Sequence, residues 1–183
     1  MGQVALITGT TAQLHAVTSA VSSVAVASVK LPVANEMKVL GVVLDRRMTS
    51  EKHVTMVARS CHYHAQTIRH ILHLLSMELA STLACSLILT RLDYCNSLLH
   101  GSHTSSIQTL QHVQNNAARI VLQAPRRCHA NTLLRQLHWL PVRHRINYKL
   151  AVMTYKIHST GLPAYLSHHI NPRETTRTLR SDT

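Results

Sequence analysis

The chain has 183 residues, a formal net charge of +12, 45% hydrophobic residues and only 3% aromatic residues. This hydrophobic content excludes global disorder, and the core must be built mainly from aliphatic side chains. From Tyr94 to Arg173 the sequence contains arginines and lysines but no Asp or Glu. Such an imbalance favours a polyanionic partner, most commonly nucleic acid, over the alternative of a solvated basic surface without a specific partner.

The cysteines, the histidines and the N-terminal sequence indicate what kind of protein this is and where it is located. Cys61, Cys85, Cys95 and Cys128 form no C-x-x-C pair and no zinc-finger spacing, which predicts reduced thiols and no metal site. The fifteen histidines form no H-E-x-x-H motif. The N-terminus lacks the charged region of a signal peptide, and no apolar run of about 18 residues is present. We therefore expect an intracellular protein, in the nucleus or cytoplasm, without a membrane partner.

The first predicted elements are a strand at residues 4–8 and a short helix near 11–22. Their sequence, VALITGTTAQLHAV, resembles the opening of a short-chain dehydrogenase. A dinucleotide site needs several glycines so that the backbone can approach the pyrophosphate. Gly9 stands alone, with Gln13 and His15 where further glycines are needed, so the pattern argues against a nucleotide site.

A change from β-branched residues to helical periodicity comes next. Residues 24–45 predict two strands joined by a turn at LPVANE. Ser50 is the predicted N-cap of a helix with an apolar side at 3.6-residue spacing, which reaches about Leu75. Ser76 is the predicted N-cap of a second helix, which ends near Leu99 and is terminated by Gly101.

The remaining sequence predicts further helices at 105–123, at 131–137, and from Pro141 to about His158. The polar segment 171–183 is predicted to be disordered. The predicted fold class is therefore α+β. A short N-terminal β-rich segment, residues 1–48, precedes a mainly α-helical bundle, residues 49–170.

The stretch LTRLDYCNSLLHG, residues 89–101, concentrates reactive residue types on the second predicted helix. At 100° per residue Arg91 lies at the centre of the apolar side, which predicts a structural arginine. Its predicted partner is Asp45 or Glu51, with a cluster of backbone carbonyls as the alternative. Asp93 falls on the opposite, polar stripe without a second acid, so a metal or acid–base role is not expected.

Basic residues of the C-terminal half are the predicted binding site. Arg145, Lys149 and Lys156 form a stripe on the last long helix, and phosphate contacts or a solvated face both explain it. The other predicted contacts are Arg119, Arg126, Arg127 and Arg143. Arg119 also belongs to a hydrogen-bonding side of its helix, with Gln108, His112 and Asn115. Trp139 is predicted to be a packing anchor, and the scarcity of aromatics argues against stacking of unpaired bases.

Four segments in the same order carry a family resemblance. They are LGVVLD (40–45), TRLDYCNSLLHG (90–101), LQHVQNNAARIV (110–121) and LHWLPVRHRINYKLAVMTYKIHSTGLPAYL (137–166). The sequence resembles the C-terminal part of the reverse transcriptase of LINE-type, non-LTR retrotransposons. The resemblance implies a palm remnant in the opening strands, a primer-gripping hairpin at LGVVLD, and a thumb-like and connection region that holds RNA/DNA duplex or hybrid.

The polymerase reaction of that family requires a carboxylate cluster that holds two Mg²⁺ ions. This sequence has no Asp-Asp pair, and none of its acidic residues has a motif-matching context. The resemblance therefore implies a catalytically incomplete fragment without its own enzymatic activity or cofactor. Its implied partners are nucleic acid, without sequence preference, and the missing palm and fingers portion of a parent polymerase. The alternatives are a decayed retroelement translation product, a helical protein-interaction domain, or a fragment of a longer active enzyme.

Overall fold

The computed structural model describes residues 22–26 and 28–170. The strand predicted at 4–8, nearly all of the helix predicted at 11–22, and the tail predicted from residue 171 lie outside these residues. Within the described part, four short strands precede a series of helices, and the predicted α+β class is confirmed.

The strands form two separate antiparallel hairpins. Strand β1 (Ser23–Val26) pairs with β2 (Val29–Pro32), and β3 (Glu36–Val39) pairs with β4 (Val42–Asp45). In register, Val26 pairs with Val29, and Val39 pairs with Val42, so a two-residue turn connects β3 and β4. The prediction of two strands over 24–45 is therefore wrong, because each predicted strand is itself a hairpin.

The turn between β3 and β4 is so tight that the sequence pattern continues across it like that of a single strand. Leu40 and Gly41 both have positive φ angles, 47° and 82°, which match the twist of a tight hairpin. Gly41 also lies under the ring of Tyr94, because a Cβ atom there would be 3.5 Å from Cε1. The Tyr94 hydroxyl donates to the Leu40 carbonyl at 2.6 Å and fastens the turn to the helical region.

The segment between β4 and the first helix is held by the Asp45 carboxylate. This group accepts hydrogen bonds from the amides of Arg47 and Thr49, at 3.1 and 2.9 Å, and from the Thr49 hydroxyl. Burial raises the pKa of Asp45, but its hydrogen bonds outweigh burial and leave that pKa below 3.8. Ser50 is the N-cap of the first helix, as predicted, but it has a φ of 60° and its side chain makes no capping hydrogen bond.

In the described part of the chain, seven helices follow the hairpins. Their bounds are α1 Glu51–Ile71, α2 Met77–Ala84, α3 Thr90–Asp93, α4 Thr104–Val121, α5 Ala130–Gln136, α6 Val142–Thr160 and α7 Ala164–Ser167. Short 3₁₀ turns at Leu72–Leu74 and Asn96–Leu99 and a π-helical turn at Cys85–Leu89 lie between them. Ser76 caps α2 as predicted, since its hydroxyl accepts from the Leu79 amide at 3.3 Å.

The helix predicted to continue to Leu99 ends at Asp93, and the burial predicted for Arg91 is wrong. The π-helical turn at Cys85–Leu89 adds a residue to one turn, so positions after it no longer follow 100° per residue. Leu92, at 2% exposure, takes the buried position, and Arg91 is exposed. The predicted ion pair of Arg91 with Asp45 or Glu51 is not present either.

The core lies between α1 and α4, which make the most extensive helix–helix contact of the described chain. The apolar sides predicted for these two helices are the sides that are buried. The core residues that these helices contribute are Val54, Ala58, Cys61, Ala65, Ile68, Ile107, Leu110, Val113, Ala117, Ala118, Ile120 and Val121. Trp139 is buried at the edge of this cluster, where the segment between α5 and α6 joins it.

Candidate nucleic-acid interface

The structure divides the predicted basic residues between two grooves. Arg119 and Arg126 line one groove, and Arg145, Lys149 and Lys156 line another. The two remaining predicted contacts, Arg127 and Arg143, are exposed and line neither groove. The seven residues therefore do not form one continuous site.

The first groove, called here the arginine groove, has a volume of about 640 Å³ and lies between α1 and α4. Helix α1 contributes His62, Gln66 and Arg69, which follow one another at four- and three-residue spacing and so share one face. Helix α4 contributes Arg119 from the facing side, and the loop after α4 contributes Arg126.

The loop that carries Arg126 is fixed by backbone hydrogen bonds. The Ala124 amide donates to the Arg119 carbonyl at 2.9 Å, and Gln123 adopts a φ of 50° to make this closure. The Cys128 amide donates to the Pro125 carbonyl at 3.0 Å. These bonds hold the loop beside the C-terminal end of α4, which brings Arg126 to the rim of the arginine groove.

The charge of the arginine groove is not neutralised by the described residues. Among the described residues, two ion pairs involve a carboxylate. Lys52 pairs with Glu36, and Arg145 pairs with Asp93. Arg69, Arg119 and Arg126 therefore face one another without a carboxylate among the groove residues. Guanidinium groups in such a groove repel one another, and an anion between them relieves that repulsion.

Arg119 is the most constrained of the three arginines. Its Nη2 donates to the Cys128 carbonyl at 3.4 Å, a long hydrogen bond that orients the guanidinium toward the loop. Its Nε–H is buried and has no hydrogen-bond partner in the structure. A buried charged donor without an acceptor is costly, and a phosphate oxygen is an acceptor that guanidinium groups favour.

The second groove, called here the α6 groove, has a volume of about 580 Å³ and contains an acid. Arg145 Nη1 lies 2.6 Å from Asp93 Oδ2, and Arg145 Nε donates to the Leu140 carbonyl at 2.7 Å. Lys149 Nζ donates to the Asp93 carbonyl at 3.3 Å, while Lys156 is exposed. The three residues of the predicted basic stripe therefore line one groove, but the ion pair of Arg145 with Asp93 holds α6 against the end of α3.

The predicted hydrogen-bonding side of α4 is not one surface. Gln108 and His112 are exposed, Asn115 accepts from Gln111 Nε2 at 2.9 Å, and Arg119 lies in the arginine groove. A buried network on the same helix was not predicted. Gln111 and Gln114 connect α4 to the start of α6, and Gln114 is completely buried.

The sequence contains a signal for each of the two features that were not predicted, the buried Gln114 and the polar stripe of α1. Gln114 follows Leu110 by four residues and precedes Ala117 by three, which places it on the apolar side of α4. The spacing of His62, Gln66 and Arg69 marks a polar stripe on α1, but only the fold shows that this stripe faces Arg119.

The described residues contain neither a metal-binding cluster nor a helix that could span a membrane. In that part of the chain no three His, Cys, Asp or Glu side chains are grouped so as to hold a metal ion, and the four cysteines are free thiols. No helix of residues 22–170 is both long enough and apolar enough to cross a membrane. Burial raises the pKa of the Cys61 thiol to about 11, while the nearby Arg91 lowers it by a smaller amount.

Comparison of the chain with protein-family models, with curated proteins and with solved structures finds no match.

Proposed function

We propose that the chain binds duplex nucleic acid, either RNA–DNA hybrid or DNA, through the arginine groove and without reading its sequence. The observation that carries this proposal is the buried, unpartnered Nε–H of Arg119 beside Arg69 and Arg126. Arginine presents a planar set of donors that matches two phosphate oxygens at once. Contacts of this kind position a duplex but carry no base information.

The α6 groove is the weaker candidate for a duplex. Arg145 is only 17% exposed and is paired with Asp93, so its charge is already compensated. Asp93 also adds a negative charge to this groove, which opposes a duplex more than a single strand because a duplex carries two phosphate backbones. The proposal therefore places the duplex contact on Arg69, Arg119 and Arg126.

The proposed origin rests on the sequence resemblance alone. The segments at 40–45, 90–101, 110–121 and 137–166 support the proposal that the chain is a catalytically incomplete fragment of a LINE-type reverse transcriptase. In that proposal the helical region keeps the template–primer grip of a thumb, and the missing palm and fingers portion is a further partner. Catalysis of DNA synthesis is not part of the proposed function, because the chain has no Asp-Asp pair.

Binding of a fluorescently labelled duplex, measured by anisotropy at about 0.1 M salt, tests the proposed contact. Each lost phosphate contact is expected to weaken binding about eight-fold at this salt concentration, since affinity scales with salt to a power of about 0.9 per contact. The double variant Arg69→Glu/Arg126→Glu should therefore bind roughly 60-fold more weakly than the wild type.

The matched control is Arg91→Glu/Arg135→Glu, which makes the same charge change at two exposed arginines outside the groove. This control should lose only a few-fold in affinity, through the change in overall charge. Equal losses in the two double variants would contradict a site in the arginine groove. A cooperative unfolding transition without any salt-sensitive duplex binding would instead favour a helical protein-interaction domain.

A further inference from the structure

All five tyrosines of the chain are exposed. Their exposed fractions are 68% for Tyr63, 52% for Tyr94, 68% for Tyr148, 73% for Tyr155 and 69% for Tyr165. The chain has no phenylalanine, and its single tryptophan is buried. The few aromatic rings of this protein are therefore placed almost entirely on its surface, where each leaves apolar ring area in contact with water.

Two of these tyrosines lie on the same face of α6. Tyr148 and Tyr155 are seven residues apart, which is two helical turns and about 10.5 Å along the axis. Each is followed by a lysine, Lys149 and Lys156, and both lysines line the α6 groove together with Tyr148. Exposed aromatic rings alternating with lysines are the combination that holds unpaired nucleotides, since rings stack on bases and lysines meet phosphates.

The same groove contains a buried acceptor that has no partner. Asn96 is 2% exposed and lines the α6 groove, and its Nδ2 donates to Asp93 Oδ1 at 3.4 Å. Its Oδ1 is buried without a hydrogen-bond donor in the structure. A ligand that brings an N–H group to this oxygen removes the penalty of an unpaired buried acceptor. The exocyclic amines of cytosine, adenine and guanine are such groups, and so is the N3–H of unpaired thymine, whereas N3-methylthymine has none.

We propose that the α6 groove binds single-stranded nucleic acid. In this arrangement Tyr148 and Tyr155 stack on bases, Lys149 and Lys156 pair with phosphates, and Asn96 Oδ1 accepts a hydrogen bond from a base amine. Duplex is the poorer ligand for this surface, because its bases are already stacked and their amines are already paired. The inference rests on the proposed function only in assigning nucleic acid to the chain, since it uses a separate groove and an unpaired strand.

Anisotropy titrations with labelled oligo(dC) and oligo(N3-methyl-dT) test the proposal on the full chain. Tyr148→Ala/Tyr155→Ala should weaken oligo(dC) binding by about 30-fold or more, since each lost base–aromatic stack costs at least about five-fold in affinity. Tyr148→Phe/Tyr155→Phe should bind like the wild type, because the stacking ring remains. The matched control Tyr63→Ala/Tyr165→Ala removes two equally exposed rings elsewhere and should leave binding unchanged.

The base preference tests the role assigned to Asn96. The wild type should bind oligo(dC) more tightly than oligo(N3-methyl-dT), because N3-methylthymine brings no N–H group to Asn96 Oδ1. Equal binding of the two strands overturns the assignment of Asn96. Equal oligo(dC) binding by Tyr148→Ala/Tyr155→Ala and its control overturns the stacking assignment. If the wild type binds no oligonucleotide, the whole inference is overturned. This includes the outcome in which the chain associates with itself through this surface.

Duplex titrations in parallel separate this inference from the proposed function. If Arg69→Glu/Arg126→Glu loses duplex binding but keeps oligo(dC) binding, both proposals are supported. If duplex binding is absent but oligo(dC) binding depends on Tyr148 and Tyr155, the arginine groove fails and the α6 groove stands.

Discussion

Replacing Gln114 with methionine is expected to destabilise the fold less than replacing Gln111, although Gln114 is completely buried. Gln114 Nε2 donates to the Leu140 carbonyl at 2.8 Å, and its Oε1 accepts from Gln111 Nε2 at 3.0 Å. Neither partner becomes unpaired when the amide is removed. The Leu140 carbonyl keeps Arg145 Nε, and Gln111 Nε2 keeps Asn115 Oδ1. The expected loss is two net hydrogen bonds, about 1–2 kcal/mol.

Gln111 has no such replacement. Its Oε1 accepts from the Val142 amide at 2.9 Å, and that amide begins α6, where an N–H has no acceptor within its own helix. Removing Gln111 leaves this buried donor unpaired and also removes the donor to the buried Oε1 of Gln114. Each unpaired buried group costs about 1–3 kcal/mol, so the two groups left by Gln111→Met should cost about 2–6 kcal/mol.

Urea unfolding of the wild type, Gln111→Met and Gln114→Met, followed by circular dichroism, measures the difference. The two variants make the same side-chain change on one helix and so control for each other. The midpoint of Gln111→Met should be the lowest, with an unchanged dependence on urea concentration. A Gln114→Met protein as unstable as Gln111→Met would refute the hydrogen-bond assignment at the α4–α6 junction.

Three further predictions concern charge and pH. Asp93→Asn should release Arg145 from its ion pair, which lowers stability by about 1 kcal/mol but tightens binding of single strands in titrations at low salt. Burial lowers the pKa of His53 below 6.5, so the folded state disfavours its proton. The contribution of His53 to stability is fully present above pH 6.5 and is lost as the pH falls below that value. Urea midpoints measured from pH 7 to 5 should therefore fall less in His53→Gln than in the wild type. Arg91→Gln should change the free energy of unfolding by less than about 0.5 kcal/mol, since Arg91 is exposed. A large loss of stability in Arg91→Gln would indicate that Arg91 is buried, as the sequence predicted.

The main helices could be predicted from sequence because their periodicity is uninterrupted. The apolar side from Val54 to Ile68 continues without a break over the whole of α1, and the prediction for α4 differs from the structure by only one or two residues at each end. Prediction failed where the helical geometry itself changes. A π-helical turn has no signature in the spacing of apolar residues, and it moved Arg91 from the core to the surface.

The hairpins failed for a different reason. Residues 24–45 are rich in β-branched residues on both sides of each turn, so a continuous strand and a tight hairpin give the same pattern. Gly41 was the only conventional turn residue within the second hairpin, and the positive φ of Leu40 has no sequence signal.

The candidate site was only partly predictable, because grooves form between helices that are distant in sequence. Charge patterning identified Arg119, Arg126 and the lysines of α6. It could not show that Arg69 faces Arg119 across the arginine groove, or that Asp93 compensates Arg145. Composition showed that aromatic residues are scarce, but it could not show that all five tyrosines are exposed.

The salt dependence of duplex binding tests the central claim most directly. If Arg69, Arg119 and Arg126 each neutralise one phosphate, log K for the wild type should fall with log salt with a slope of roughly −3, or steeper with additional contacts. In Arg69→Glu/Arg126→Glu the slope should be shallower by about 2. A slope that is near zero in the wild type, or that is unchanged in this variant, would contradict phosphate binding in the arginine groove.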